Sequence, residues 1–445
     1  MRMPTYKYDM DNPRPDQRAI HGEARSHSGG GDSLGSSLME TSAERRQLPV
    51  ATSESTMRRL LESEAAVQSW VEAHGYRGYE PFDGLSSPLR ACTFGNLLAE
   101  RILQQVVRQS PVNIRPLIGI KPLDSTKGQG MMAWGYLLLH RTTGVADYWT
   151  KAVECLHWLD THRSPKFEKH SWANYFDFSS RGGKYHKDDS IIVWTSHIAQ
   201  AYLEAFEQSQ DQWFLDIASS ACDWIMSLPR ERTDRGDCIS YFAHEQESVH
   251  NSNMLGAAAL ARTARHTGRQ NYADVARAAM RYSCLRVLPS GAWWYAEDDR
   301  YHWIDNFHTG YNLDSLKCYI EYTGDTEFSG LLTKGLRFYK DHFFEASGRP
   351  KYYHTRAYPI DIQCAAQAID TLAYFAPEDP ESLSLAVKVA DWTIRNMQDR
   401  AGFFYYRKYP FGVTARTPML HWGQATMFKG LAHLISRLSP GERPA

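Results

Sequence analysis

A Gly-aromatic-aromatic pattern recurs along most of the chain and narrows the folds open to it. Gly144, Tyr148 and Trp158 form one copy, Gly268, Tyr272 and Tyr282 a second, and Gly324, Phe328 and Phe338 a third. Phe214 and Trp224 repeat the aromatic pair with Gln210 in the glycine place, and Trp392 marks a fifth unit. The second aromatics lie 66, 58, 56 and 54 residues apart. A period of that length carried by helical patterns belongs to stacked helical hairpins. Thr143-Gly144, Thr267-Gly268 and Thr323-Gly324 each follow a helical pattern, where glycine takes the left-handed conformation that ends a helix.

The two helices of a hairpin are unlike. The second is amphipathic: Asp274, Arg277 and Arg281 share a face, and Lys388, Asp391 and Arg395 repeat the offsets. The first is apolar all round, as in the Met254, Leu255 and Leu260 stretch with its alanines, and is therefore expected to be buried on every side. Inner helices are predicted to begin near Gly128, Asp189, His250, Asp305, Asp361 and His421. No outer helix follows the last, and a helix over residues 90–108 is expected to supply it. Six inner and six outer helices then close into an all-α (α/α)6 toroid over residues 57–440, whereas an α-solenoid would leave both ends open. Residues 1–56, rich in Ser, Gly, Arg and Glu, lack apolar periodicity and are expected to form a disordered tail.

Lys plus Arg is 50 and Asp plus Glu is 51, a balance that argues against nucleic acid or an acidic membrane as partner. No apolar stretch approaches the roughly 20 residues of a membrane span, and none follows Met1 as a secretory signal would. The seven cysteines are never closer than 16 residues, which excludes a CxxC motif and argues against a disulfide framework. The expectation is a cytoplasmic protein. There is no HExxH and the histidines are scattered, so neither a metal nor a cofactor is expected. Oligomeric state leaves no mark in the sequence.

The long outer-to-inner loops should gather at one rim, where six helix N-termini converge and favour electron-rich oxygens. Their contents suit a sugar. Trp293 and Trp294 precede Trp303-Ile304-Asp305-Asn306-Phe307-His308, with Tyr311 and Asn312 following. The next loop carries Tyr353, His354, Arg356 and Asp361, and the last carries Tyr406, Arg407, His421, Trp422 and Gln424. Rings offer flat faces to sugar C–H groups while the polar groups bind hydroxyls.

Residues 303–310, 351–354 with 358–361, and 392–399 resemble bacterial polysaccharide-biosynthesis proteins of the six-hairpin glycosidase superfamily over about residues 90–440, with a distant similarity to the helical domain of glucuronyl C5-epimerases. The resemblance implies a glycan substrate and leaves the reaction open.

Asp305 and Asp361 suit N-caps and equally suit a carboxylate pair for glycosidic-bond hydrolysis. His308 shares a helix face with Asp305 and forms a candidate acid–base pair with it. On a uronate, Arg356 would neutralise the carboxylate while Tyr353 or His354 removes the C5 proton. Tyr406 with Arg407 is a second such set. Trp293 and Trp294 are platform or core. Asp188 and Asp189, His250, Asn251 and Asn253 are helix starts or binding residues, and Glu245 and Glu247 add carboxylates without a role. Three functions are open: C5 epimerisation or lyase-type proton abstraction, hydrolysis by paired Asp, and glycan binding without turnover.

Overall fold

The structure, a computed structural model, describes residues 54–179 and 183–439. All but three residues of the expected tail lie outside that range. Six helices form the inner ring: α3 (Thr126–Thr143), α5 (Ile192–Ser209), α7 (His250–Thr267), α9 (Asn306–Thr323), α11 (Ile362–Phe375) and α13 (Thr426–Leu438). Each packs against the next, and α13 packs against α3, so the ring closes. Outside them run α4 (Ala146–Thr161), α6 (Gln212–Ser227), α8 (Gln270–Cys284), α10 (Ser329–His342) and α12 (Pro380–Met397). This is the (α/α)6 toroid read from the repeat.

The turns behave as the glycines require. Gly144, Gly268 and Gly324 cap α3, α7 and α9 at φ of 69°, 69° and 70°. Gln210 takes the same left-handed place after α5 at φ 60°, despite its side chain. Inner helices are buried around nearly their whole circumference, as in α7, where residues 250–263 are all buried. Close approach is needed too: a Cβ on Gly430 of α13 would stand 2.8 Å from the Ala366 carbonyl oxygen of α11.

The sixth outer helix corrects the sequence reading. It is α1 (Glu54–Ala73), which packs on α13 and α12, and it takes in residues 54–56 of the expected tail. The helix expected over residues 90–108 exists as α2 (Leu97–Gln109), but it packs on the rim loops. It is also inside out. Leu98, Ile102 and Val106 face solvent while Glu100, Gln104 and Arg108 are buried. The polar face is held by specific partners. Glu100 accepts from Arg90 Nε (3.1 Å) and Lys184 Nζ (2.9 Å), Gln104 donates to the Ser179 carbonyl (2.8 Å), and Arg108 donates to the Tyr406 hydroxyl (3.1 Å). Such bonds reverse the usual preference because buried polar groups with partners cost little.

All long connections, 74–125, 162–191, 228–249, 285–305, 343–361 and 398–419, lie at the end where the inner helices begin. The last inner helix starts with a π-helical turn, Leu420–Ala425, a local widening often found where side chains are aimed at a site. Among the described residues no helix is long and apolar enough to cross a membrane.

Candidate active site

At the mouth, α7, α9 and the loop before α9 line a narrow crevice with Asn251, Trp293, Trp294, Tyr295, Trp303, Asp305, His308, Thr309 and Asn312. Asp305 organises it. As N-cap of α9 it accepts from the His308 backbone N–H (3.0 Å), and its second oxygen accepts from Trp303 Nε1 (3.0 Å) and His308 Nδ1 (2.7 Å). The capping bond and the imidazole bond both follow from the three-residue spacing. With Nδ1 so engaged, Nε2 of His308 has no hydrogen-bond partner among the described residues, and the side chain, which lines the crevice, is 20% exposed. An imidazole oriented by a buried carboxylate is a group set up to carry a proton.

A second imidazole–carboxylate pair stands at the start of the last inner helix. His421 Nδ1 lies 2.6 Å from Glu80 Oε2, and the His421 backbone N–H donates to the other Glu80 oxygen (2.9 Å). Among the described residues its Nε2 is buried without a partner, and Nδ1 and Glu80 Oε2, though close, do not meet in hydrogen-bond geometry. Between the two pairs lie Trp194, whose ring is 5.3 Å from that of His421, and Tyr311, whose ring is 6.2 Å from that of His308. Lys127 Nζ fills the gap, 5.1 Å from the Trp194 ring and 3.2 Å from the Tyr311 hydroxyl.

The loop before α11 runs beside Asp305. Tyr353 is bridged to Asp305 by backbone pairing, and the Arg356 guanidinium lies 4.8 Å over the Tyr353 ring. Burial and the neighbouring Asp305 carboxylate push Tyr353 up to about 12, so the phenol keeps its proton and is a donor, not a base. Burial holds His354 below the usual histidine range, and its Nδ1 lies 3.3 Å from the Ile304 carbonyl oxygen.

Asp361 stands apart from this chemistry. It is 0% exposed and caps α11 through Gln363 N–H (2.9 Å). It also accepts from Trp422 Nε1 (2.8 Å) and is paired with Arg407, one strand over in the sheet formed by Ile360–Asp361, Arg407–Lys408 and Thr414–Ala415. Arg407 and Trp422 are thereby committed to the wall, as is Tyr406, which holds Arg108. Gln424 spends its amide on Phe404 and Met419, and Asn253 on Ile239, Ala279 and Ser283. His250 is pinned between Ser283 (3.1 Å) and Glu297 (2.7 Å). Asp189 pairs with Lys166 in the loop before α5 rather than starting that helix. Trp293 donates to the Ser283 carbonyl (2.9 Å) with its ring edge on the crevice, and Trp294 stacks on His302 at 4.9 Å. Asn312 leaves its side-chain oxygen unpartnered.

Sequence reading missed Glu80, Lys127, Trp194 and His197. Lys127 and His197 lie in helices that read as core, and Glu80 meets its partner across 341 residues.

These features define a six-hairpin toroid with an imidazole–carboxylate pair at its mouth. No protein-family model matches the sequence, and no curated protein does. Solved structures share the fold. Cellobiose 2-epimerase from Bacillus thermoamylovorans superposes with a TM-score of 0.55 at 11% identity, over 69% of this chain and 87% of that one. An unsaturated glucuronyl hydrolase specific for heparin gives 0.56 at 10% identity, over 85% and 96%. A polysaccharide lyase gives 0.57 at 9% identity, over 87% and 100%.

Proposed function

We propose that the protein is a carbohydrate-active enzyme that transfers a proton at a sugar carbon next to a carboxyl or carbonyl group, as an epimerase or a lyase. The observation that carries this is His308, oriented by Asp305, with Nε2 free in an aromatic-lined crevice. The C–H bond breaks, its proton goes to His308 Nε2, and the electron pair moves onto the carboxyl or carbonyl oxygen as an enolate. In epimerisation a second acid returns a proton to the opposite face, a part we assign to His421, whose Nδ1 lies 2.6 Å from Glu80 Oε2. In the lyase variant the electron pair instead expels the group on the next carbon. The epimerase, glucuronyl hydrolase and lyase named above act on sugars in the same toroid, which supports a glycan substrate. Paired-Asp hydrolysis is the weaker reading, since every oxygen of Asp305 and Asp361 is already engaged in the wall.

The test is solvent isotope uptake. The protein is incubated in heavy water with uronate oligosaccharides, cellobiose and mannose, and products are read by mass spectrometry and NMR. Deuterium should enter one carbon of at least one sugar, and His308→Asn should slow this by about 10²–10⁴-fold. Binding without exchange across the whole panel would leave only the non-catalytic reading, and reducing-end release without exchange would restore hydrolysis.

A further inference from the structure

Lys127, in the first turn of α3, is 4% exposed, and among the described residues no carboxylate lies within ion-pair distance of it. Its ammonium rests between the Trp194 and Tyr311 rings, 5.1 and 5.3 Å from their centroids, and donates to the Tyr311 hydroxyl. Cation–π contacts recover only part of what a buried charge loses in leaving water. Burial accordingly pushes Lys127 down to about 7, with Lys429 adding to the effect and Glu80 opposing it. The surroundings are short of an anion and rich in groups able to donate. His421 Nε2 and His197 Nε2 are both buried without a partner. The His197 ring lies 4.9 Å from Tyr311, whose hydroxyl also accepts from Gln363 Nε2 (2.9 Å). The N-terminal end of α3 adds its own positive potential. Trp194, half-buried, stands beside the ammonium and presents its remaining ring surface to a sugar.

We propose that Lys127 receives the carboxylate of an acidic sugar whose ring lies against Trp194. The substrate class is then a uronate, and Lys127 is the residue that selects it. Arg356 is stacked on Tyr353, its guanidinium 4.8 Å from that ring. A carboxylate at Lys127 completes the missing ion pair and, in the proton-transfer reading on which this rests for the ring's placement, also lowers the cost of the enolate formed beside it.

Calorimetric titration of the full chain tests this without any turnover. D-glucuronate and D-galacturonate are compared with D-glucose and D-galactose, and acetate is included as a free carboxylate. Each uronate should bind at least tenfold more tightly than its neutral counterpart, a difference of about 1.4 kcal/mol. Acetate should bind far more weakly than either uronate. Lys127→Met should erase the preference while leaving neutral-sugar affinity in place. Lys127→Gln, which keeps a polar head, should erase it as well and serves if the Met variant does not fold. Equal affinity for acid and neutral sugars, no binding of either, acetate binding as well as glucuronate, or a preference that survives both substitutions would each overturn the proposal. His308→Asn separates the two claims: it should keep the uronate preference while losing solvent exchange. A wild-type protein with the preference and no exchange would sink the proton-transfer reading and leave the carboxylate site standing.

Discussion

Asp305 serves structure and chemistry with one side chain. As a cap it needs only an oxygen near the His308 N–H; as an orienting group it needs charge opposite His308 Nδ1. Asparagine supplies the first and not the second, because it caps about as well as aspartate. Asp305→Asn should therefore melt within a few degrees of wild type while slowing isotope exchange by about 10²–10⁴-fold. Thermal melts beside exchange rates check this, and an equal loss of both would make Asp305 structural only. Deeper on the axis, Asp370 is paired with Lys429 and accepts from His433 (2.9 Å), while Asp314 beside it accepts from Gln367 and Thr371. Burial and Asp370 hold the Asp314 carboxyl well above the usual range, which favours its neutral form. Asp370→Asn strands the lysine and should cost about 3–5 kcal/mol in urea unfolding, whereas Asp314→Asn imitates the neutral form that burial favours and should cost under about 1. The Asp305–His308 pair was legible because its spacing is local. Lys127 was not, since a lone lysine in the first turn of a largely buried helix carries no sequence sign of the rings that meet it.

Hairpin turns are where element-scale reading worked best, because a left-handed residue is a local requirement. Gln210 broke the pattern in sequence and yet sits at φ 60°, so the turn is set by the helices it joins. The side chain is tolerated at a conformational cost of about 1 kcal/mol. Gln210→Gly should raise stability by about 0.5–1 kcal/mol, and Gly268→Ala should lower it by a similar amount, since a Cβ there meets nothing within 4 Å and the penalty is purely conformational. Chemical denaturation of the two variants reads both signs. The reading failed at α2 because periodicity identifies an amphipathic face without saying which side the rest of the molecule covers. There Glu100, Gln104 and Arg108 found partners supplied by residues 90, 179, 184 and 406, none of them visible from the helix itself.

At the scale of the whole ring, closure depends on the first and last helices finding each other. The need for a partner to α13 was legible from counting hairpins; its identity was not, because α1 carries polar residues along the face it buries. Glu64 is the clearest, 3% exposed, with Oε1 unpartnered. Burial, with Glu72 adding and Lys151 opposing, pushes its carboxyl from 4.5 up to about 7. The native state therefore holds a proton that the unfolded chain gives up near 4.5. Below that value the group costs nothing, and stability is lost as pH rises from about 4.5 through about 7. Glu64→Gln keeps the shape and removes the titration. Its gain over wild type should be about 2–3 kcal/mol at pH 8 and under about 1 at pH 5, since each tenfold change in proton affinity is worth about 1.4 kcal/mol. Urea unfolding of both proteins at the two pH values measures the difference directly. A gain independent of pH would mean that the carboxyl is not buried at the seam, and that α1 does not close the ring.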